Sequence, residues 1–224
     1  MHNKCHLYGW ADTYLLTAGK IKIGYGSVWG KDRREDRDTI FEFYLLHPYR
    51  KFSGMIFSEF LSLSQVQWIE CQTNDYLLSS MLFEFAENIN TEAILFEDGY
   101  QTSFKIPGAV FRKDDTENNN PSDSGEYMLE YNGETVATGG FLLNYNFPYA
   151  DIYMEVKEQY RRQGFGSLLI QELKKEIYSL QRVPAARCNV RNAASKASLQ
   201  KAGFKPCGFW LTGKAKSLNK QAIR

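Results

Sequence analysis

The residues best placed to do chemistry lie in the run Val156-Lys157-Glu158-Gln159-Tyr160-Arg161-Arg162-Gln163-Gly164-Phe165-Gly166. An apolar strand ends, a basic turn follows, and glycines open an amphipathic helix. The first turn of a helix carries unpaired backbone N–H groups and a partial positive charge. Glycine lets backbone come close to a ligand and adopt positive φ. The run is thus an anion cradle, and phosphate is its natural guest. It is neither G-x-G-x-x-G nor a phosphate loop ending in Gly-Lys-Ser/Thr, which disfavours dinucleotide and ATP binding.

The elements that must position this loop read from periodicity and turn signals. Glu126–Tyr131 and Thr135–Asn144 are predicted strands around the turn pair Asn132-Gly133, and Asp151–Val156 is a third. Leu169, Leu173 and Ile177 recur every four residues, with Ile170 beside them, and predict a helix over Gly166–Ser179. Ala185–Val190 reads as a short strand. Asn192 then caps a helix that Gly203 ends, and Phe204–Leu211 returns as a strand.

The first half carries the same order. Thr13–Ala18 and Ile21–Trp29 flank Gly19-Lys20, Thr39–Leu46 is a strand, and Ser53–Leu63 a helix. Val66–Cys71 is a strand, Asp75–Asn88 a helix, and strands over Thr91–Phe96 and near Ser103–Arg112 finish the half. Tyr49-Arg50-Lys51 matches Tyr160-Arg161-Arg162 at a spacing of 111, and Cys71 matches Cys188 at 117. The polar stretch 114–125 divides the two as a linker. The expected fold is therefore mixed α/β in tandem, with domains over 1–113 and 126–224.

Length and composition allow this. The chain has 224 residues, 43% hydrophobic and 24% charged, ordinary globular values. Net charge is +1 but uneven: after Glu176 no acid occurs, while ten Lys and Arg follow. An anionic ligand or a solvated basic tail would each account for that. No dense basic cluster suggests nucleic acid, and no apolar run reaches membrane-spanning length. The four cysteines form no C-x-x-C pair and the three histidines offer little for a metal. No metal cofactor and a reducing, cytoplasmic setting are expected.

Arg161-x-x-Gly164-x-Gly166 resembles the R/Q-x-x-G-x-G/A loop of the GCN5-related N-acetyltransferase (GNAT) superfamily. Asn192-Ala193-Ala194-Ser195, followed by a helix and Gly203-Phe204, resembles that family's second stretch. The resemblance covers roughly residues 125–211. It implies a mostly antiparallel GNAT-like sheet flanked by helices, and an N-acetyltransferase using acetyl-CoA. A non-catalytic acetyl-CoA-binding module is the alternative. By resemblance, the loop Arg161, Arg162, Gln163, Gly164, Phe165 and Gly166 would hold the pyrophosphate. Backbone at Met154 and Val156, with Asn192 and Ser195, would hold the pantetheine arm and phosphates.

The reaction the resemblance implies is direct attack of an amine on the thioester, which requires a general base. Asp151, Tyr153 and Glu155 share one face of their strand. Glu155 is the first choice of base, with a strand ion pair as its alternative role, and Tyr153 is a pocket wall or proton relay. Many members carry a tyrosine in the helix after the Asn as general acid. Here that place is Leu199, which cannot donate a proton. The acceptor, a small-molecule or protein amine, would be recognised outside the usual helices, for which neither half has room before its first hairpin. A cleft between the halves is the expected surface.

In the first half the places of Gly164 and Gly166 fall on Ser53 and Met55, and Asp75 stands where Asn192 does. Side chains would crowd a phosphate and the carboxylate would repel it. The first half therefore reads as a degenerate copy without coenzyme A.

Overall fold

The structure is a computed structural model that describes residues 2–33, 35–114, 127–144 and 146–217. Its elements are α1 (His2–Leu7), β1 (Ala11–Ala18), β2 (Ile21–Trp29), β3 (Thr39–Leu45), α2 (Ser53–Ser64), β4 (Trp68–Gln72), α3 (Tyr76–Phe85) and β5 (Ala86–Asp98). There follow β6 (Ala109–Lys113), β7 (Tyr127–Tyr131), β8 (Glu134–Leu142), β9 (Tyr149–Val156), α4 (Phe165–Ser179), β10 (Val183–Asn189), α5 (Ala193–Lys201) and β11 (Phe204–Ala215). Short 3-10 turns, His47–Phe52 and Glu158–Tyr160, precede α2 and α4.

Contacts divide the chain into two compact units, one of Met1–Lys4 with Ala93–Cys207 and one of Cys5–Glu92 with Gly208–Arg224. We call them the α4 unit and the companion unit. The division is not the expected one at 114–125. It falls inside β5 and inside β11, because each of these long strands serves both units. Apart from Asp114, the 114–125 segment lies outside the described residues.

In the α4 unit the strands run β5-β10-β9-β8-β7-β6. All neighbours pair antiparallel except β9 with β10, which are parallel. Asn132 and Gly133 take φ of 51° and 81°, the type I′ geometry that joins β7 to β8 tightly. Helix α4 lies across β7, β8, β9 and β10. Its stripe Phe165, Leu169, Ile170, Leu173 and Ile177 is buried with Leu129, Val136, Phe141 and Ile152 in one core. The even residues of β9 face that core, whereas Tyr153 and Glu155 are exposed.

The companion unit repeats the plan as β1-β2-β3-β4-β11, with β3 and β4 its parallel pair. Phe43, Phe57, Phe60, Ile69 and Leu82 build its own core. Two differences from expectation stand out. Helix α3 ends at Phe85 rather than near Asn88, which has φ of 53°, and β5 starts at Ala86. The chain after Leu211 continues as strand, with Trp210–Lys214 pairing against Gln72–Trp68 of β4, so this tail completes the sheet beside β4.

The duplication reaches atomic detail. The Tyr49 N–H donates to the Leu46 carbonyl and the Tyr160 N–H to the Lys157 carbonyl, both at 2.9 Å. Arg50 Nε donates to the Leu45 carbonyl at 3.2 Å and Arg161 Nε to the Val156 carbonyl at 3.1 Å. Every partner in these pairs is related by 111 residues. At the offset of 117, Asp75 caps α3 by accepting from the Leu78 N–H, and Asn192 caps α5 by accepting from the Ser195 N–H.

Candidate active site

Strands β9 and β10 pair only at Tyr149–Val183, Ala150–Pro184 and Asp151–Ala185. Beyond Asp151 the register with β10 stops, while β9 stays paired with β8 through Val156. The Lys157 N–H donates to the Val136 carbonyl, so residue 157 turns its backbone toward β8. Strand residues alternate in direction. The backbone groups of Met154 and Val156 therefore point away from β8, into the gap that opens beside β10. This is the sequence-predicted stretch, placed by strand geometry.

Two glycines on β8 shape the strand opposite. Gly139 faces Met154 and Gly140 faces Tyr153. A Cβ on Gly139 would collide with the Tyr153 carbonyl and Met154, so only glycine fits there.

A cavity of about 680 Å³ fills the open end of the gap. Its walls include Met154, Glu155 and Val156 from β9, and Arg161, Gly164 and Gly166 from the loop. Asn192, Ser195, Ser198 and Lys201 close it from α5. Arg162 and Phe165 also line it, whereas the exposed Gln163 does not; its amide donates to the Gln159 carbonyl at 3.1 Å. Ten of the twelve residues predicted from sequence thus meet at one cavity.

Loop geometry explains the glycines. Gly164 is the N-cap of α4 with φ of 93°, a conformation in which an L side chain is strained. It supplies no capping side chain, so the first-turn N–H groups of α4 keep their donors. A Cβ on Gly166 would stand 3.3 Å from Met154 Cε, Val156 Cγ2 and Ser198 Oγ, filling the angle between helix and strand. Lys201 Nζ lies 3.5 Å from where a Gly164 Cβ would be. Sequence reading missed Lys201, because a helix end and a loop 37 residues apart meet only in the fold.

Other groups in the cavity are already engaged. Asn192 Oδ1 accepts from the Ser195 N–H at 2.9 Å, as a plain N-cap would. The Tyr160 hydroxyl donates to Glu134 at 2.8 Å. That hydrogen bond, followed by burial, holds the phenol above its ordinary pKa.

A second cavity of about 340 Å³ shares Met154 and Ser195 with the first. Tyr153 lines this one and not the larger. So do Asp151 and Arg187, which form an ion pair at 3.2 Å, and the buried Leu199.

The corresponding place in the companion unit differs. Its loop has Ser53 at φ of −55° where Gly164 is left-handed. Arg50 donates to the Tyr76 hydroxyl and sits over the rings of Tyr44 and Tyr76. The Glu84 carboxylate lies 3.3 Å from where a Gly54 Cβ would be. Among the described residues, no group of three or more His, Cys, Asp or Glu could hold a metal ion, and no helix is long and apolar enough to cross a membrane.

Comparisons with known proteins agree with this geometry. The description "Acetyltransferase (GNAT) family" matches residues 90–204, and "Acetyltransferase (GNAT) domain" matches residues 6–99. No curated protein matches the chain in sequence. Among solved structures, an acetyltransferase of the GNAT family from Colwellia psychrerythraea superposes with a TM-score of 0.72 at 14% identity, covering 93% of this chain and 87% of that one. A GCN5-related N-acetyltransferase from Sphaerobacter thermophilus gives 0.62 at 11% identity, covering 93% and 82%. A tandem GNAT protein from the clavulanic acid biosynthesis pathway gives 0.59 at 11%, covering 93% and 84%. These likenesses establish the fold, and with the two matched segments they lead to one conclusion: the chain belongs to the acetyltransferase (GNAT) family and carries two GNAT domains in tandem.

Proposed function

We propose that the α4 unit is an N-acetyltransferase that takes its acetyl group from acetyl-CoA and gives it to an amine. The observation that supports this most is the gap beside β9. It exposes the backbone of Met154 and Val156 at one end of a cavity whose other end is a cationic, glycine-built helix start. The cavity falls in the usual size range of ligand clefts. Arg161, Arg162, Lys201 and the first-turn amides of α4 suit the phosphates. The strand edge suits the amide-bearing pantetheine arm.

In this reading the acceptor amine loses a proton to Glu155, directly or through water. Its lone pair attacks the thioester carbon. The carbonyl oxygen gains charge and is met by a β9 backbone N–H. That attack forms the N–C bond; collapse of the tetrahedral intermediate then re-forms the carbonyl, breaks the C–S bond and releases the thiolate, which takes up, through solvent, the second proton that the acylated nitrogen gives up. Leu199 offers no acid for that step, and a thiolate is a good enough leaving group to depart without one. The acceptor is a small-molecule or protein amine. The four free cysteines fit a reducing, cytoplasmic setting.

A second reading is a module that binds acetyl-CoA without turnover, and the buried Leu199 at the tyrosine position favours it. Incubating the protein with acetyl-CoA and a broad amine panel, and following free thiol, separates the two. Amine-dependent thiol release supports transfer. Tight binding with no release above the background hydrolysis supports the module.

A further inference from the structure

We infer that the smaller cavity is an acyl chamber that takes a chain longer than acetyl, of about four to six carbons, carried on coenzyme A. This rests on the proposed binding of coenzyme A at the Arg161–Gly166 loop.

Position is the first argument. The two cavities meet at Met154 and Ser195. From there the smaller one runs back toward Asp151, where β9 and β10 join again at the Asp151–Ala185 pair. A thioester held beside Met154, with its coenzyme A in the larger cavity, would therefore point its acyl group into this chamber. The chamber lies at the closed end of the gap, beyond the phosphate end.

Size is the second. The chamber holds about 340 Å³. A water occupies about 30 Å³ of liquid, and a methylene is of similar bulk. An acetyl group would leave most of that space to water, whereas six carbons would take about half of it and leave the charged end hydrated.

Lining is the third. Leu142, Ile152, Met154, Ile170 and Leu199 supply an aliphatic wall from two strands and two helices, and the polar Tyr153 and Ser195 share the lining with it. Leu199 is buried, at 3% exposure, and brings no polar atom to the chamber. The departure at this position therefore has a use: it exchanges a hydroxyl for apolar wall. The far end is different. The Asp151–Arg187 ion pair stands there, and an alkyl end pressed against it would strip water from two charges. That sets an upper limit on chain length.

The test is a calorimetric titration of coenzyme A, acetyl-CoA, butyryl-CoA, hexanoyl-CoA and decanoyl-CoA into the wild type, Leu199→Phe and Leu142→Trp. Leu142 is only half-buried, so the second variant keeps the test open if the core substitution at Leu199 fails to fold. Burying each methylene should tighten binding about fourfold, so butyryl-CoA binds the wild type about tenfold or more tighter than acetyl-CoA. Decanoyl-CoA gains nothing over hexanoyl-CoA. In the variants the gain shrinks to near nothing while coenzyme A itself binds as before. Equal or tighter binding of acetyl-CoA to the wild type, or a gain that survives Leu142→Trp, would overturn the chamber and leave the loop assignment standing. Failure of coenzyme A itself to bind would overturn both.

Discussion

Lys201 and Glu84 occupy equivalent places in the two units, 117 residues apart, and carry opposite charge. Lys201 Nζ approaches Gly164 at the start of α4, and the Glu84 carboxylate approaches Gly54 at the start of α2. One unit thus offers a cation where a phosphate would arrive, and the other an anion. A charge-assisted hydrogen bond is worth about 1.5–3 kcal/mol. Lys201→Ala should therefore weaken acetyl-CoA binding about tenfold to a hundredfold, and Lys201→Glu more. Isothermal titration at two salt concentrations checks this, because the wild type should lose more affinity with salt than the alanine variant.

Glu155 tests the chemistry. It is exposed, lines the larger cavity and stands opposite Thr138 on β8. General-base catalysis contributes about 10²–10⁴ in rate. Glu155→Gln should lower kcat by at least about a hundredfold with little change in acetyl-CoA affinity. An unchanged kcat would remove Glu155 from the base role. Tyr153→Phe should leave coenzyme A affinity unchanged, since Tyr153 lines the smaller cavity and not the larger.

Lys174 is a structural cation in the α4 unit. Its side chain is 2% exposed, pairs with Asp98 at 2.6 Å, and donates to the carbonyls of Tyr100 and Ala202 at 2.7 and 3.0 Å. Lys174→Met leaves Asp98 and both carbonyls short of a donor. Removing one partner of such a pair costs about 3–5 kcal/mol, to be read as a fall in the urea midpoint. A loss under about 1 kcal/mol would mean that water replaces the ammonium.

Alkali should loosen both units. Burial pushes the Cys71 thiol up to about 11, and burial with the Asp98 hydrogen bond and charge raises the Tyr178 phenol as well. Each group stays protonated in the fold at pH values where the unfolded chain has already released the proton. The stability they contribute is complete below the unfolded pKa and is lost as pH rises through the folded one. For Cys71 that window runs from 9 to about 11. Thermal unfolding across it should show falling Tm, and Cys71→Ser should flatten part of the slope.

Legibility in the sequence followed range. The loop glycines, the Asn192 cap and the α4 stripe are set by neighbours three or four residues away, so pattern alone finds them. The duplication was visible in Tyr49-Arg50-Lys51 against Tyr160-Arg161-Arg162 because the same local hydrogen bonds hold both turns. Lys201 near Gly164, the Asp151–Arg187 pair and Gly139 opposite Met154 depend on tertiary approach and leave no periodic trace. The unit boundaries inside β5 and β11 were hidden for a related reason. A strand that serves two units keeps one uninterrupted pattern, while the polar stretch 114–125 looks like a boundary and connects β6 to β7 of one unit.

One acyl-CoA should bind per chain, on the Arg161–Gly166 loop. The most direct measurement is a calorimetric titration of acetyl-CoA into the wild type and Gly164→Glu, with circular dichroism confirming that both are folded. The wild type should bind with a stoichiometry of one, and the variant should lose binding. Two sites per chain, or unchanged affinity in Gly164→Glu, would contradict this assignment.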